Sequence, residues 1–146
     1  MKLTHTMVLM FVGSFLIQYF LMSAVMVENR IDITNSIGKA YIAVIMAIGM
    51  LFLEVIMHDQ HYSVCSTNLY IILSALLALF IYLYRKQVAI KDKQYLEGMI
   101  EHHSMALFTS EEILKKTDNY DIAKLAKNIK SQQTDELRVM EELLNK

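Results

Sequence analysis

The residues best equipped for chemistry lie in the last third of the 146-residue chain. Met99, His102 and His103 occupy successive turns of one face of a predicted helix, so a thioether and an imidazole stand one turn apart and can chelate a single ion. The chain then meets Thr117-Asp118-Asn119, any of which can turn it or cap a following helix. Folding back at that point sets His102 and His103 opposite the stretch from Gln133 to Glu136, and Met99 opposite the region of Arg138 to Met140. Two histidines, a methionine, a glutamine and a glutamate thus converge where an apolar seam is expected. Burying them is costly unless they bond one another or a metal. Thioether with imidazole is a soft to intermediate donor set that suits copper, above all Cu(I), better than magnesium, calcium or manganese. Zinc draws on cysteine, histidine and carboxylate instead. A di-iron bundle needs Glu-x-x-His, and the position three before His102 is Met99.

A second reading of the same residues needs no metal. His102 and His103 point about 100° apart on a helix, so one can be solvated while the other is a core histidine paired with Glu136. Met99, Met105 and Met140 then serve as adaptable core filler. Both readings stand at this level.

Two helices must position these groups. Ile90–Lys116 carries Leu96, Ile100, His103, Leu107 and Leu114 on one stripe, and Tyr120–Asn145 carries Ile122, Leu125, Ile129, Met140 and Leu144. Nothing in Arg85–Ile90 breaks a helix, so the preceding apolar segment is expected to run straight into the first of them. A hairpin of about 60 residues buries little core alone. It is therefore expected to pair with a second copy, or to dock on the chain's own membrane helices.

The rest of the chain reads as membrane. Thr6–Val27 is an apolar run of about 22 residues, spanning roughly 33 Å as a helix against a hydrocarbon core of about 30 Å. Ala40–Met57 and Leu69–Tyr84 are the second and third predicted spans, with tyrosines 62, 70, 82 and 84 as an interfacial belt. The fold class is all-α: three transmembrane helices (domain 1–87) followed by an antiparallel helical hairpin (domain 88–146). The sequence has no proline, four glycines and one cysteine, Cys65, which cannot close an intrachain disulfide. Residues 1–84 hold three basic side chains (Lys2, Arg30, Lys39) and residues 85–146 hold eleven of each sign. That balance excludes a nucleic-acid footprint, which needs a basic excess. No nucleophile–base pair, phosphate loop or acid–base couple marks an enzyme.

The basic residues bear on sidedness. Three spans put Lys2 and the 58–68 loop on one side, and Arg30, Lys39, Arg85, Lys86, Lys91 and Lys93 with the hairpin on the other. The positive-inside rule then places the hairpin in the cytoplasm. In the second span, Met46, Met50, Glu54 and His58 share a face with Met57 beside it. This is either a soft-metal or proton path entering at His58 and His61, or gap-filling methionine with Glu54 at the headgroups.

The run YLEGMIEHHSMA (Tyr95–Ala106), followed by LAKNIKSQQTDELRVMEELL (Leu125–Leu144), resembles the domain-of-unknown-function 305 family. That family's pattern has an aromatic-x-x-x-Met-Ile-Pro-His-His-x-x-Ala block and an Ala-x-x-Ile-x-x-x-Gln-x-x-Glu-Ile-x-x-Met block. Met99, Ile100, His102, His103 and Ala106 match the first. Ala126, Ile129, Gln133, Glu136 and Met140 match the second, with Leu137 for the isoleucine. The resemblance implies a ferritin-like helical domain, the hairpin being half of a four-helix bundle, in a bacterial plasma (inner) membrane protein. It implies copper binding for sequestration, delivery or tolerance, with Met99, His102, His103 and Met140 as ligands, Gln133 and Glu136 supporting them, and Met105 secondary. It also implies an extracytoplasmic hairpin, against the charge count. Glu101 departs from the pattern, standing where the family usually has proline. Two other functions remain expectations: a tethered protein-interaction module without metal, and a copper redox enzyme.

Overall fold

A chain without proline and with few glycines has little to interrupt a helix. The computed structural model describes residues 3–146, so Lys2, used in the sidedness count, lies outside it. Among the described residues there are five long helices and no strand. We label them α1 (Leu3–Met26), α2 (Ile37–Tyr62), α3 (Thr67–Arg85), α4 (Asp92–Leu114) and α5 (Tyr120–Leu144). Within α1 the helix widens to a π-helical turn at Ile17–Leu21, which carries Gln18, the one strongly polar residue of the apolar run Thr6–Val27. The first three helices, of 24, 26 and 19 residues, are each long and apolar enough to cross a membrane. Each outruns its predicted apolar run, because polar residues such as Gln60 and His61 keep the helical hydrogen bonds after hydropathy has fallen. Val8, Leu9, Val12, Ile17 and Val25 of α1 are exposed, as expected of side chains that face lipid.

Two compact units form. One comprises residues 3–21 with Gly38–Ala89, the other Met22–Ile37 with Ile90–Lys146. In the first, Ala43, Ala47, Ile48, Leu51 and Val55 recur at helical spacing along the buried face of α2. Ile48, Leu51 and Val55 pack on Leu73 of α3 and on Met7, Met10 and Phe11 of α1. Ala43 and Ala47 are fully buried, the small side chains that let membrane helices approach closely. The stripe through Glu54 is not this packed face, since Met46 and Met57 are both about half exposed. Asp59 closes the turn between α2 and α3. Its carboxylate accepts from the backbone N–H of Ser66 at 2.6 Å and from the Ser66 hydroxyl at 2.7 Å.

The expected continuous helix from α3 into α4 does not form. The N–H of Val88 donates to the carbonyl of Leu83 at 3.0 Å and that of Gln87 to Tyr84 at 3.1 Å, the paired bonds of a Schellman helix stop. Gln87 takes the left-handed conformation this requires (φ 51°), and Ala89 follows at φ 60°. The Val88 carbonyl, freed from any helix, accepts from the hydroxyl of Tyr41 on α2 at 2.9 Å. Tertiary anchoring thus breaks a stretch in which no residue is a helix breaker.

Candidate metal centre

The turn between α4 and α5 forms where the residue types predict it. Asn119 Oδ1 accepts the N–H groups of Asp121 (2.9 Å) and Ile122 (3.2 Å), capping α5. Antiparallel packing then brings the buried α4 face (Ile100, His103, Leu107) against α5, where Ala126 and Met140 are buried.

His103 is the centre of the arrangement. It is 6% exposed, and both ring nitrogens have partners. Nδ1 lies 2.8 Å from the carbonyl of Met99, one turn back. A carbonyl oxygen only accepts, so Nδ1 carries the proton and donates. Nε2 points across the hairpin to Glu136 Oε2, also at 2.8 Å. An imidazole held through Nδ1–H by a backbone carbonyl, with Nε2 facing outward, has the usual orientation of a metal-ligating histidine. Beside it runs a groove of about 490 Å³ lined by Met99, His103, Glu136 and Met140, with Tyr95 and Val139 at its sides. Glu136 is 59% exposed, so its carboxylate can move away from the ring.

Four of the candidate residues therefore line one groove. The others do not line this groove. His102 is exposed, its ring 5.9 Å from that of His103 and nearly perpendicular to it. Met105 is half-buried. Gln133 is half-buried on α5, with its Oε1 buried and unpartnered among the described residues. No group of three or more histidine, cysteine or acidic side chains that could hold a metal occurs among the described residues.

The other side of α4 carries a polar stripe that sequence reasoning missed. The segment between α1 and α2 lies along it, bonded at successive turns. The backbone N–H of Ile37 donates to Gln94 Oε1 at 2.5 Å, and the Thr34 hydroxyl donates to the Glu97 carbonyl at 2.7 Å. Glu101 Oε2 accepts from the Thr34 hydroxyl at 3.2 Å and more loosely from its N–H at 3.4 Å. Ser104, fully buried, accepts from the N–H of Glu28 at 2.9 Å and donates to Asp32 Oδ2 at 2.5 Å. Asp32 is itself 3% exposed. The glutamate at 101 thus has a structural use. Gln94, Glu97, Glu101 and Ser104, spaced by three or four residues, were the signal for this face.

Residues 82–144 match the family model described as Domain of unknown function (DUF305). Over 137 residues the chain is 32% identical to the uncharacterized protein L153 of Acanthamoeba polyphaga mimivirus, a similarity covering 94% of this chain and 90% of that one. No solved structure matches. Residues 82–144 thus form a DUF305 domain, and over 94% of its length the chain belongs to one family with the mimivirus protein.

Proposed function

We propose that this is a membrane-anchored copper-binding protein whose hairpin holds Cu(I) through Met99, His103 and Met140, with Glu136 at the lip of the groove. The observation that carries the reading is the orientation of His103: its Nδ1 is committed to the Met99 carbonyl, and its Nε2 faces a groove that both thioethers line. The donor set fits the ion, two soft sulfurs and one intermediate nitrogen in a largely apolar setting. Bound copper would take the Nε2 lone pair, so Glu136 has to release its contact with that nitrogen. Lacking any nucleophile–base pair, the site suits sequestration, delivery or tolerance rather than turnover. His102, exposed beside the groove, is a rim residue in this reading, not a ligand.

The reading is completed by a location and a partner. The protein sits in a plasma membrane with the hairpin on the extracytoplasmic side. A second copy covers the hairpin to make a four-helix bundle; Ile122, Leu125, Val139 and Leu143 of α5 are exposed at helical spacing and supply an apolar face for it. A strict monomer on sedimentation in detergent contradicts the pairing.

One observation favours a different reading. His103 already has a protein partner at each nitrogen, as a structural histidine in a metal-free interaction module does. Titrating the full-length protein with Cu(I) against a competing chelator separates the two. The copper reading expects His103→Ala to lose affinity and His102→Ala to keep it. Equal, weak affinity in the wild type and both variants leaves the interaction module.

A further inference from the structure

The three-helix unit carries its charge unevenly. Among residues 3–21 and 38–89 the lysines and arginines are Lys39, Arg85 and Lys86, and the acidic residues are Glu54 and Asp59. Helix α2 leaves one end of the unit and α3 returns to it, as the bond from the Tyr41 hydroxyl to the Val88 carbonyl at 2.9 Å shows. All three cations therefore lie at that end. The two acidic residues lie in the far half of α2, where Asp59 is already engaged by Ser66. Lys39 stands over the Tyr19 ring, its Nζ 4.7 Å from the centroid. Arg85 and Lys86 are exposed, and neither has an ion-pair partner among the described residues. In the hairpin, by contrast, Lys115, Lys130 and Arg138 each pair with a glutamate. Cations left without a protein partner at the rim of an apolar unit suit an anion from outside.

The surface of α3 leading up to these cations is shaped for a chain rather than for a free ion. Ile72, Leu76, Leu79 and Lys86 fall on one face at helical spacing, and the three apolar side chains are exposed. The rise from Leu76 to Lys86 is about 15 Å, half of a hydrocarbon core of about 30 Å. An apolar stripe at least one leaflet deep, topped by cations, matches both parts of a phospholipid. Inorganic phosphate would use only the cations.

We propose that the end of α3 binds an anionic phospholipid, its headgroup held by Arg85 and Lys86 and an acyl chain lying along Ile72, Leu76 and Leu79. The guanidinium suits a forked contact to the phosphodiester, and the ammonium serves as a point charge beside it. A zwitterionic headgroup brings its own cation and leaves the second protein charge unmatched. The helix stop at Gln87 and the Tyr41 bond to Val88 fix the chain just beyond, which holds both cations at one depth.

Native mass spectrometry of the full-length protein, released from nanodiscs of phosphatidylcholine with a minor share of phosphatidylglycerol, counts the lipids it retains. The wild type is expected to retain phosphatidylglycerol in preference, and less so as salt is raised. R85Q with K86Q should lower that preference roughly twenty- to thirtyfold, about fivefold for each cation. R85K with K86R, which keeps both charges, should retain it, as should K115Q, which removes a cation already paired with Glu112. Circular dichroism checks that the variants keep their helices, and the wild-type comparison stands whether or not they do. Equal retention of the two lipids by the wild type overturns the site. So does a preference that survives R85Q with K86Q, or one that K115Q lowers as much. A preference abolished by added inorganic phosphate marks a free-anion site and overturns the lipid assignment.

Discussion

Ser104→Ala isolates the contact that fixes the 27–37 segment. The hydroxyl it removes is fully buried, accepts from the Glu28 N–H at 2.9 Å and donates to Asp32 at 2.5 Å. An N–H left without a partner away from water costs about 1–3 kcal/mol, and a lost hydrogen bond to a carboxylate about 1.5–3 kcal/mol. Asp32 is 3% exposed, so water offsets little of the second loss. Together the two weaken docking of the segment by about 3–5 kcal/mol, roughly a hundred- to several-thousandfold in its open population. Amide hydrogen exchange in the full-length protein reads that population residue by residue. Protection over residues 28–37 is expected to fall by that factor, while α5 amides around Ile129 keep theirs. Thr109→Ala is the control: its exposed hydroxyl only bonds back to the carbonyls of Met105 and Ala106, and its loss is worth within about 0.5 kcal/mol. Unchanged protection over 28–37 in Ser104→Ala refutes the assignment of this contact as the anchor.

Further expectations follow from other residues. Glu101→Pro removes a mid-helix N–H and both Thr34 contacts. It is expected to cost about 3 kcal/mol or more, seen as a lower melting midpoint by circular dichroism. Met99→Leu with Met140→Leu nearly conserves volume, so stability should move by less than about 1.5 kcal/mol per site. Cu(I) affinity should fall at least about tenfold in the same double variant, since even indirect supports of a metal site typically cost 10–100-fold. In intact cells Cys65, exposed in the α2–α3 turn, should escape a membrane-impermeant thiol reagent if the hairpin is extracytoplasmic. Labelling from outside places the hairpin in the cytoplasm.

Much of the architecture was legible because helical periodicity and apolar length report directly on burial. Three helices long and apolar enough to span a membrane, a turn within residues 117–119 and the opposition of the His102–His103 pair to the stretch from Gln133 to Glu136 all follow from hydropathy and spacing. Three features did not. The α3–α4 break depends on left-handed backbone at Gln87 and Ala89, residues with no preference for it, stabilised by Tyr41 from a distant helix. The docking of the 27–37 segment depends on hydrogen bonds between residues about 57 to 76 positions apart, which no local pattern encodes. The different fates of His102 and His103 were open because adjacent helical positions diverge by about 100°. Which of them faces α5 depends on how the two helices rotate against each other. Glu101 was conspicuous as a departure from the family pattern, yet its use became clear only with Thr34 beside it.

X-ray absorption at the copper edge on the full-length protein loaded with one equivalent of Cu(I) tests the central claim most directly. The account predicts sulfur and nitrogen scatterers together, with the sulfur contribution lost in Met99→Leu plus Met140→Leu and kept in Cys65→Ser. A nitrogen- and oxygen-only shell, or sulfur that disappears with Cys65→Ser, contradicts a thioether–imidazole site in the hairpin groove.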